Sequence, residues 1–274
     1  MSSIITLTTD FGPSDSYVAA MKGVILGINP EAKLVDICHT ISPQDIAQAA
    51  FILGTAYQSF PKGTVHLVVV DPGVGSERRA VILRTPSADF VAPDNGVLSY
   101  VIEESSPGPT DEHQQRELAP ALEAFAITNP HYWREPVSPT FHGRDIFAPV
   151  AAHISLGHPP ADFGEKITSL ETLLLTRPHQ EPSGTVVGHI LHIDSFGNLI
   201  TDITAQYLSP EGKSLDIKIG KHTIHRLSRT YAEAEGLLAL IGSSDRLEIS
   251  IKGGSAHNLL NAEVGDEVRV SPHG

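Results

Sequence analysis

The stretch HLVVVDPGVGSERRAVIL, residues 66–83, decides how the first half of the chain is built. An apolar, β-branched run ends in Asp71, a turn containing Pro72, Gly73 and Gly75 follows, then come Arg78 and Arg79, and a second apolar run leaves. Glycine-rich loops that cradle phosphate lead into a helix, whose free N–H groups meet the anion. Here no Lys-Ser or Lys-Thr follows the glycines, and RAVILRT, residues 79–85, reads as a strand. The pattern is therefore strand, turn, strand, which disfavours both the P-loop and the dinucleotide fingerprint. Asp71 stands at the carboxyl end of a strand, where open α/β sheets place ligands, and Asp10 has the same position on the first strand. Strand alternation puts Arg78 and Arg79 on opposite faces, so at most one shares a site with Asp71. Two readings stay open on these residues alone: a structural turn closed by an ion pair, or a site.

Outward from this stretch the first part alternates strand and helix signals. IITLTTD, ending at Asp10, and KLVDICHT read as buried strands. Between them, Val18, Met21, Val24 and Ile25 form a helical stripe, capped by Ser14 or Asp15 and stopped by Pro30. The next helix opens with Ser42 as N-cap and Pro43 at its first position, with Asp45 suiting its positive end. A further helix is expected at DIFAPVAAHISLG, and residues 104–121 read as a surface insertion. Apolar strands separated by helices imply a parallel sheet covered on both faces. After TRPHQEPSG the pattern changes to short alternating runs with Gly, Asn and Ser-Asp turns, the mark of a small β-barrel or sandwich. The expected fold class is α/β: an α/β/α sandwich over 1–175 with a mainly parallel sheet, a linker at 176–184, and a smaller all-β barrel over 185–274. There is no internal repeat.

The formal net charge of −13 argues against a nucleic-acid backbone or an anionic membrane as partner. The single cysteine, Cys38, has no partner for a disulfide or a zinc site and is expected as a buried core thiol. No signal peptide and no apolar run of about 20 residues is present, so a cytoplasmic protein is expected. Fourteen histidines invite a metal reading. The obvious pair, His189 and His192, sits three apart in a strand-like run and should face opposite ways, so no metal is assigned. His142, in TFHGRDIF, enters a helix and is either a capping-loop histidine or a site residue. HIDSFGNLITDI places Asp194, Phe196 and Asn198 on a tight turn. An Asx turn explains the polar pair but not an aromatic at the tip, which suits stacking on a planar ring.

Six ordered blocks now stand together: TLTTDFGPSDSYVAAMKGVI, VDICHTISPQDIAQAAF, FPKGTVHLVVVDPGVGSERR, FVAPDNGVL, FHGRD and IDSFGNLITDI. Through them nearly the whole chain resembles the S-adenosyl-L-methionine hydroxide adenosyltransferases, relatives of the fluorinase and chlorinase. Residues 104–136 and 205–230 match least. The resemblance implies attack of water on the ribose 5′ carbon of S-adenosyl-L-methionine, giving adenosine and L-methionine without a cofactor. It implies an Asp71–Arg78–His142 set at the nucleophile. In the fluorinase the aspartate position is a Tyr, so the chain is similar to the hydroxide-using branch.

By the same resemblance Asp10 would take the ribose hydroxyls, Asp15 and Asp194 the methionine ammonium, and Ser243 its carboxylate. Phe196 and Tyr231 would lie against adenine, and Asn198 would read an adenine or ribose edge. The family forms a homotrimer with sites between subunits. The alternatives are a non-catalytic binder of adenosine or S-adenosylmethionine, a related halogenase, or a metal-dependent hydrolase.

Overall fold

The computed structural model describes residues 4–105, 115–208, 215–233 and 235–272. Within these the chain divides into two compact units, Met1–Leu174 and Leu175–Gly274.

The first unit is built on strands β1 (Ile4–Thr9), β2 (Lys33–Cys38), β3 (Thr64–Val69), β4 (Ala80–Arg84), β5 (Ala88–Pro93), β6 (Gln115–Glu117), β7 (Glu123–Ala126), β8 (Lys166–Ile167) and β9 (Ser169–Glu171). Its helices are α1 (Tyr17–Ile28), α2 (Ile46–Ala56), α3 (Ser99–Ser105) and α4 (Ala148–Ser155). Seven strands form one sheet in the order β2-β1-β3-β5-β4-β7-β8, and β6 pairs with β9. The pairs β1–β2, β1–β3 and β3–β5 are parallel, whereas β5–β4, β4–β7 and β7–β8 are antiparallel, so the sheet is mixed. Strand β3 shows why both faces are covered. Val65, Leu67 and Val69 pack with Met21 and Ile25 of α1 and Val150 of α4, while Val68 and Val70 pack with Leu53 of α2 and Val101 of α3. The α/β/α sandwich follows from that two-sided apolar strand.

Chain order reverses between β1 and β3, because β2 lies on one side of β1 and β3 on the other. That switch point leaves a crevice at the carboxyl ends of β1 and β3, and Asp10 and Asp71 follow those two strands. The stretch 71–79 crosses the end of β5 to reach β4, so it is a bridging loop rather than a hairpin.

Four local expectations are corrected. Strand β2 is an edge strand with Lys33, Val35 and Asp36 exposed, because none of the described strands pairs beyond it. Cys38 at its end is half-buried rather than in the core, with Sγ 3.6 Å from Thr40 Oγ1. Helix α1 starts after Ser16, not Ser14 or Asp15, and α2 starts at Ile46. Its cap is Asp45, which accepts the Gln48 N–H at 2.8 Å, so Ser42 and Pro43 lie in the loop before it. A carboxylate caps as well as a hydroxyl and adds a favourable charge at the helix dipole.

The second unit comprises β10 (His179–Gln180), β11 (Val186–Ile193), β12 (Leu199–Thr204), β13 (Leu215–Ile219), β14 (His222–Ile224), β15 (Leu237–Ile241), β16 (Arg246–Ile251), a short α5 (Ala256–Leu260) and β17 (Glu267–Pro272). They form an antiparallel sheet in the order β14-β13-β17-β11-β12-β16-β15, with β10, from the stretch expected as linker, added to β11. Beyond β14, Leu227 bridges to Ala239 of β15, and the Ser228 N–H donates to the Ala239 carbonyl at 2.7 Å. The sheet thereby curls almost closed around Ile190, Leu199, Ile217, Leu247 and Val268. This second unit is the smaller, barrel-like one.

Candidate active site

In the first unit the crevice holds a cavity of about 340 Å³ walled by Asp10, Phe11, Tyr17, Asp71, Phe141 and His142, among others. Larger depressions of about 560 and 750 Å³ lie at the β13–β14 hairpin and along α1, so size alone does not select the site. Chemistry does. Arg78 grips Asp71 with a fork: Nε donates to Oδ1 at 2.8 Å, and Nη2 donates to Oδ2. The same Nη2 lies 3.1 Å from Nδ1 of His142. A guanidinium only donates, so His142 Nδ1 is the acceptor and the hydrogen of the neutral ring sits on Nε2. The side chains of Asp71 and Arg78 are 5% and 12% exposed, so the pair is screened from solvent. Burial lowers the His142 pKa from its ordinary 6.5, and the Arg78 charge adds to that, against the opposing pull of Asp71 and Asp145. The imidazole is therefore neutral at neutral pH.

Two loops must meet to build this set. Gly75 has φ +77°, and a Cβ there would stand 2.5 Å from the Pro139 carbonyl oxygen. Glycine thus lets the Asp71–Arg79 loop lie against the loop that carries His142. That second loop is pinned by Asp145, whose carboxylate is fully buried. Asp145 accepts from the Ser138 N–H at 2.9 Å, from Arg144 at 2.7 Å and from Arg134 at 3.1 Å. Burial alone would raise its pKa, but these bonds outweigh it and hold the carboxyl low. A short π-helical turn, Gly143–Phe147, then leads into α4. Arg79 faces away and pairs with buried Asp94 at 2.5 Å. The two arginines thus reach different carboxylates.

Asp10 lines the same cavity, with Oδ2 accepting the Gln44 N–H at 2.8 Å. Asp15 is exposed just before α1. Sequence reasoning missed the aromatic wall of Phe11, Tyr17 and Phe141, whose ring centroids lie 5.2–5.8 Å apart. It also missed the clamp made by Asp145. The signal for the clamp was present in FHGRD, where an acid follows an arginine at a helix entry.

In the second unit the turn between β11 and β12 is organised by Asp194. Its Oδ1 accepts the N–H groups of Phe196 and Asn198, both at 2.9 Å, and its Oδ2 accepts Asn198 Nδ2 at 2.9 Å. Gly197 has φ +79°, and a Cβ there would collide with the side chain of Ser255. Phe196 is left at the tip, 75% exposed. Tyr231 is 47% exposed and donates its hydroxyl to Glu248 Oε1 at 2.6 Å. That bond, with burial and the charges of Glu248 and Asp194, pushes the phenol up to about 12. Ser243 is exposed in the turn between β15 and β16. Among the described residues no three His, Cys, Asp or Glu side chains are grouped as metal ligands.

Comparison with known proteins gives this geometry its context. Residues 5–164 match the family model for the SAM hydroxide adenosyltransferase N-terminal domain, and residues 188–269 match that for the C-terminal domain. The chain belongs to the SAM hydroxide adenosyltransferase family. A relative within reach is the (R)-S-adenosyl-L-methionine hydrolase of Salinispora arenicola, 34% identical over 97% of both chains. The fluorinase of Nocardia brasiliensis is 28% identical over 97% of this chain and 96% of its own. A solved structure from Thermotoga maritima, described as an uncharacterized conserved protein, is 34% identical, with a TM-score of 0.86 over 97% of this chain and 99% of that one. In this SAM hydroxide adenosyltransferase the α/β unit and the barrel each correspond to one matched domain.

Proposed function

We propose that this protein hydrolyses S-adenosyl-L-methionine to adenosine and L-methionine, by attack of water on the ribose 5′ carbon with methionine leaving. The observation that carries the reading is the Asp71–Arg78–His142 set on the crevice of a chain in this family. Methionine departs from a sulfonium as a neutral thioether, so departure needs no acid. The work lies with the nucleophile. Arg78 and His142 Nε2 are fixed donors that orient one water and favour its hydroxide-like form. Arg78 cannot accept a proton, and its N–H occupies the acceptor nitrogen of His142. Asp71 is left as the acceptor of the set. A carboxylate suffices, because the oxygen that has bonded to carbon carries its extra proton as a strong acid. The positive charge is cancelled against the Asp71 carboxylate once that proton is transferred, so the partly enclosed aromatic wall favours the step.

Substrate contacts belong to the same proposal. Asp10, whose Oδ1 accepts no hydrogen bond from the described residues, takes the ribose diol, and Asp15 a part of the amino-acid end. Phe196 and Tyr231 flank the adenine, Asn198 reads an edge, and Ser243 meets the methionine carboxylate. We further propose a homotrimer with sites shared between subunits, a location in the cytoplasm, and a reaction without a cofactor. The exposed Phe196 supports the first of these, since a neighbouring copy would cover it. Incubation with S-adenosyl-L-methionine, with and without chelator, tests the reading. Adenosine and methionine formed in equal amounts despite chelator support it. Binding without turnover would favour a binding module, and loss of turnover with chelator would favour a metal enzyme.

A further inference from the structure

The turn that carries Asp10 is braced from behind by a chain of side chains that the reaction leaves unused. Thr9, fully buried at the end of β1, accepts the Phe11 N–H on Oγ1 at 3.3 Å. The same Oγ1 lies 2.9 Å from Nδ1 of His39, the residue just beyond β2. Nε2 of His39 lies 3.0 Å from Oδ1 of Asp36, and Oδ2 of Asp36 accepts from Nζ of Lys22, on α1, at 2.6 Å. The chain therefore ties α1, β2 and β1 together one residue before Asp10. The backbone follows the same line, since the Gly12 N–H donates to the His39 carbonyl at 2.7 Å. The β1–β2 ladder ends at Thr8 and Cys38 after a register shift, and the His39 ring begins where that ladder stops. None of Thr9, Lys22, Asp36 and His39 walls the cavity. The acid facing Nε2 selects the tautomer with its hydrogen there, which leaves Nδ1 to accept the Thr9 hydroxyl. Thr9 Oγ1 then turns its lone pairs to the Phe11 N–H, so each link has one direction.

We propose that His39 is a positioning residue for the ribose contact: its ring, held between Asp36 and Thr9, fixes the turn that aims the Asp10 carboxylate into the cavity. Oδ2 of Asp10 accepts the Gln44 N–H at 2.8 Å, so a rotation of the turn would break that bond or swing Oδ1 away from the ligand. A carboxylate that reads two neighbouring hydroxyls is sensitive to such a rotation, because both directions must be right at once. The inference rests on the proposed ribose contact of Asp10.

The test compares binding of adenosine with binding of 2′,3′-dideoxyadenosine, which lacks the ribose hydroxyls, by calorimetry on the whole protein. His39→Ala should weaken adenosine about 10-fold and the dideoxy ligand less than about two-fold. His39→Asn, whose amide oxygen can stand near the place of Nδ1 and accept the Thr9 hydroxyl, should recover most of the loss. In an Asp10→Ala background, His39→Ala should cost adenosine binding nothing more. Thr9→Val keeps the shape and cuts the chain at the hydroxyl, so it should give the same selective loss and stands in if His39→Ala does not fold. Equal weakening of both ligands, no weakening of either, or a His39→Ala loss that persists without the Asp10 carboxylate overturns the inference. A protein that shows the selective pattern yet leaves S-adenosyl-L-methionine unconverted keeps the positioning role and removes the reaction. A wild-type protein that binds the two ligands equally removes the ribose contact and the inference with it.

Discussion

Arg78 holds two neighbours with one guanidinium, and that is where single substitutions are most informative. Arg78→Lys keeps the charge but cannot span Asp71 and His142 together. Turnover should fall by about 10²-fold or more while Kd for S-adenosyl-L-methionine stays near wild type. Arg79→Ala should leave kcat intact, yet it strands buried Asp94 with only the Glu171 N–H, so a stability loss of about 3 kcal/mol is expected by denaturant titration. If Arg79→Ala loses turnover and Arg78→Lys does not, the arginines are wrongly assigned. The pH profile isolates His142. Its pKa lies below 6.5, and protonation removes the acceptor that Arg78 uses. On the proposed mechanism kcat/KM should be flat above about pH 6.5 and fall only at lower pH. A rate that climbs as pH falls would contradict a neutral His142. At this scale strand alternation said only that one arginine at most could join Asp71, and the choice of Arg78, like that of His142, rested on the resemblance. Asp145 was illegible because its meaning lies in three donors from other parts of the chain.

Strand β3 carries a polar residue into the core, and this gives the α/β unit a pH limit. His66 is fully buried, with Nδ1 2.8 Å from Thr6 Oγ1, its ring stacked at 4.9 Å on Phe90, and Nε2 unpartnered. Burial drops its pKa to about 4 from 6.5. The unfolded chain binds this proton below pH 6.5 and the folded chain refuses it until about pH 4. Stability present above 6.5 should therefore be lost as pH falls to 4, by about 3 kcal/mol from this residue. Between pH 6.5 and 4 the urea midpoint of wild type should fall relative to that of His66→Phe, and parallel curves would refute it. The turn carrying Phe196 behaves in the opposite way. Its ring is 75% exposed, so Phe196→Ala should leave thermal stability unchanged while weakening adenosine binding about 10-fold, read by calorimetry. Strand and turn positions could be read from periodicity and glycines. The exposure of β2 could not, because sheet order, and hence which strand is the edge, is set by pairings distant in sequence.

For the whole molecule, the change from helix-and-strand alternation to short alternating runs marked the passage from sandwich to barrel, and the two units divide near it. The mixed character of the sheet was not visible, since an antiparallel strand buried on both faces has the same apolar run as a parallel one. What the molecule does with these parts comes down to which atom the water oxygen joins. Hydrolysis of S-adenosyl-L-methionine in water enriched in oxygen-18 measures that directly. The expected result is one heavy oxygen in adenosine, at the 5′ hydroxyl, and none in methionine. Heavy oxygen in the amino-acid product, or thioether left on the nucleoside, would contradict attack at the ribose 5′ carbon.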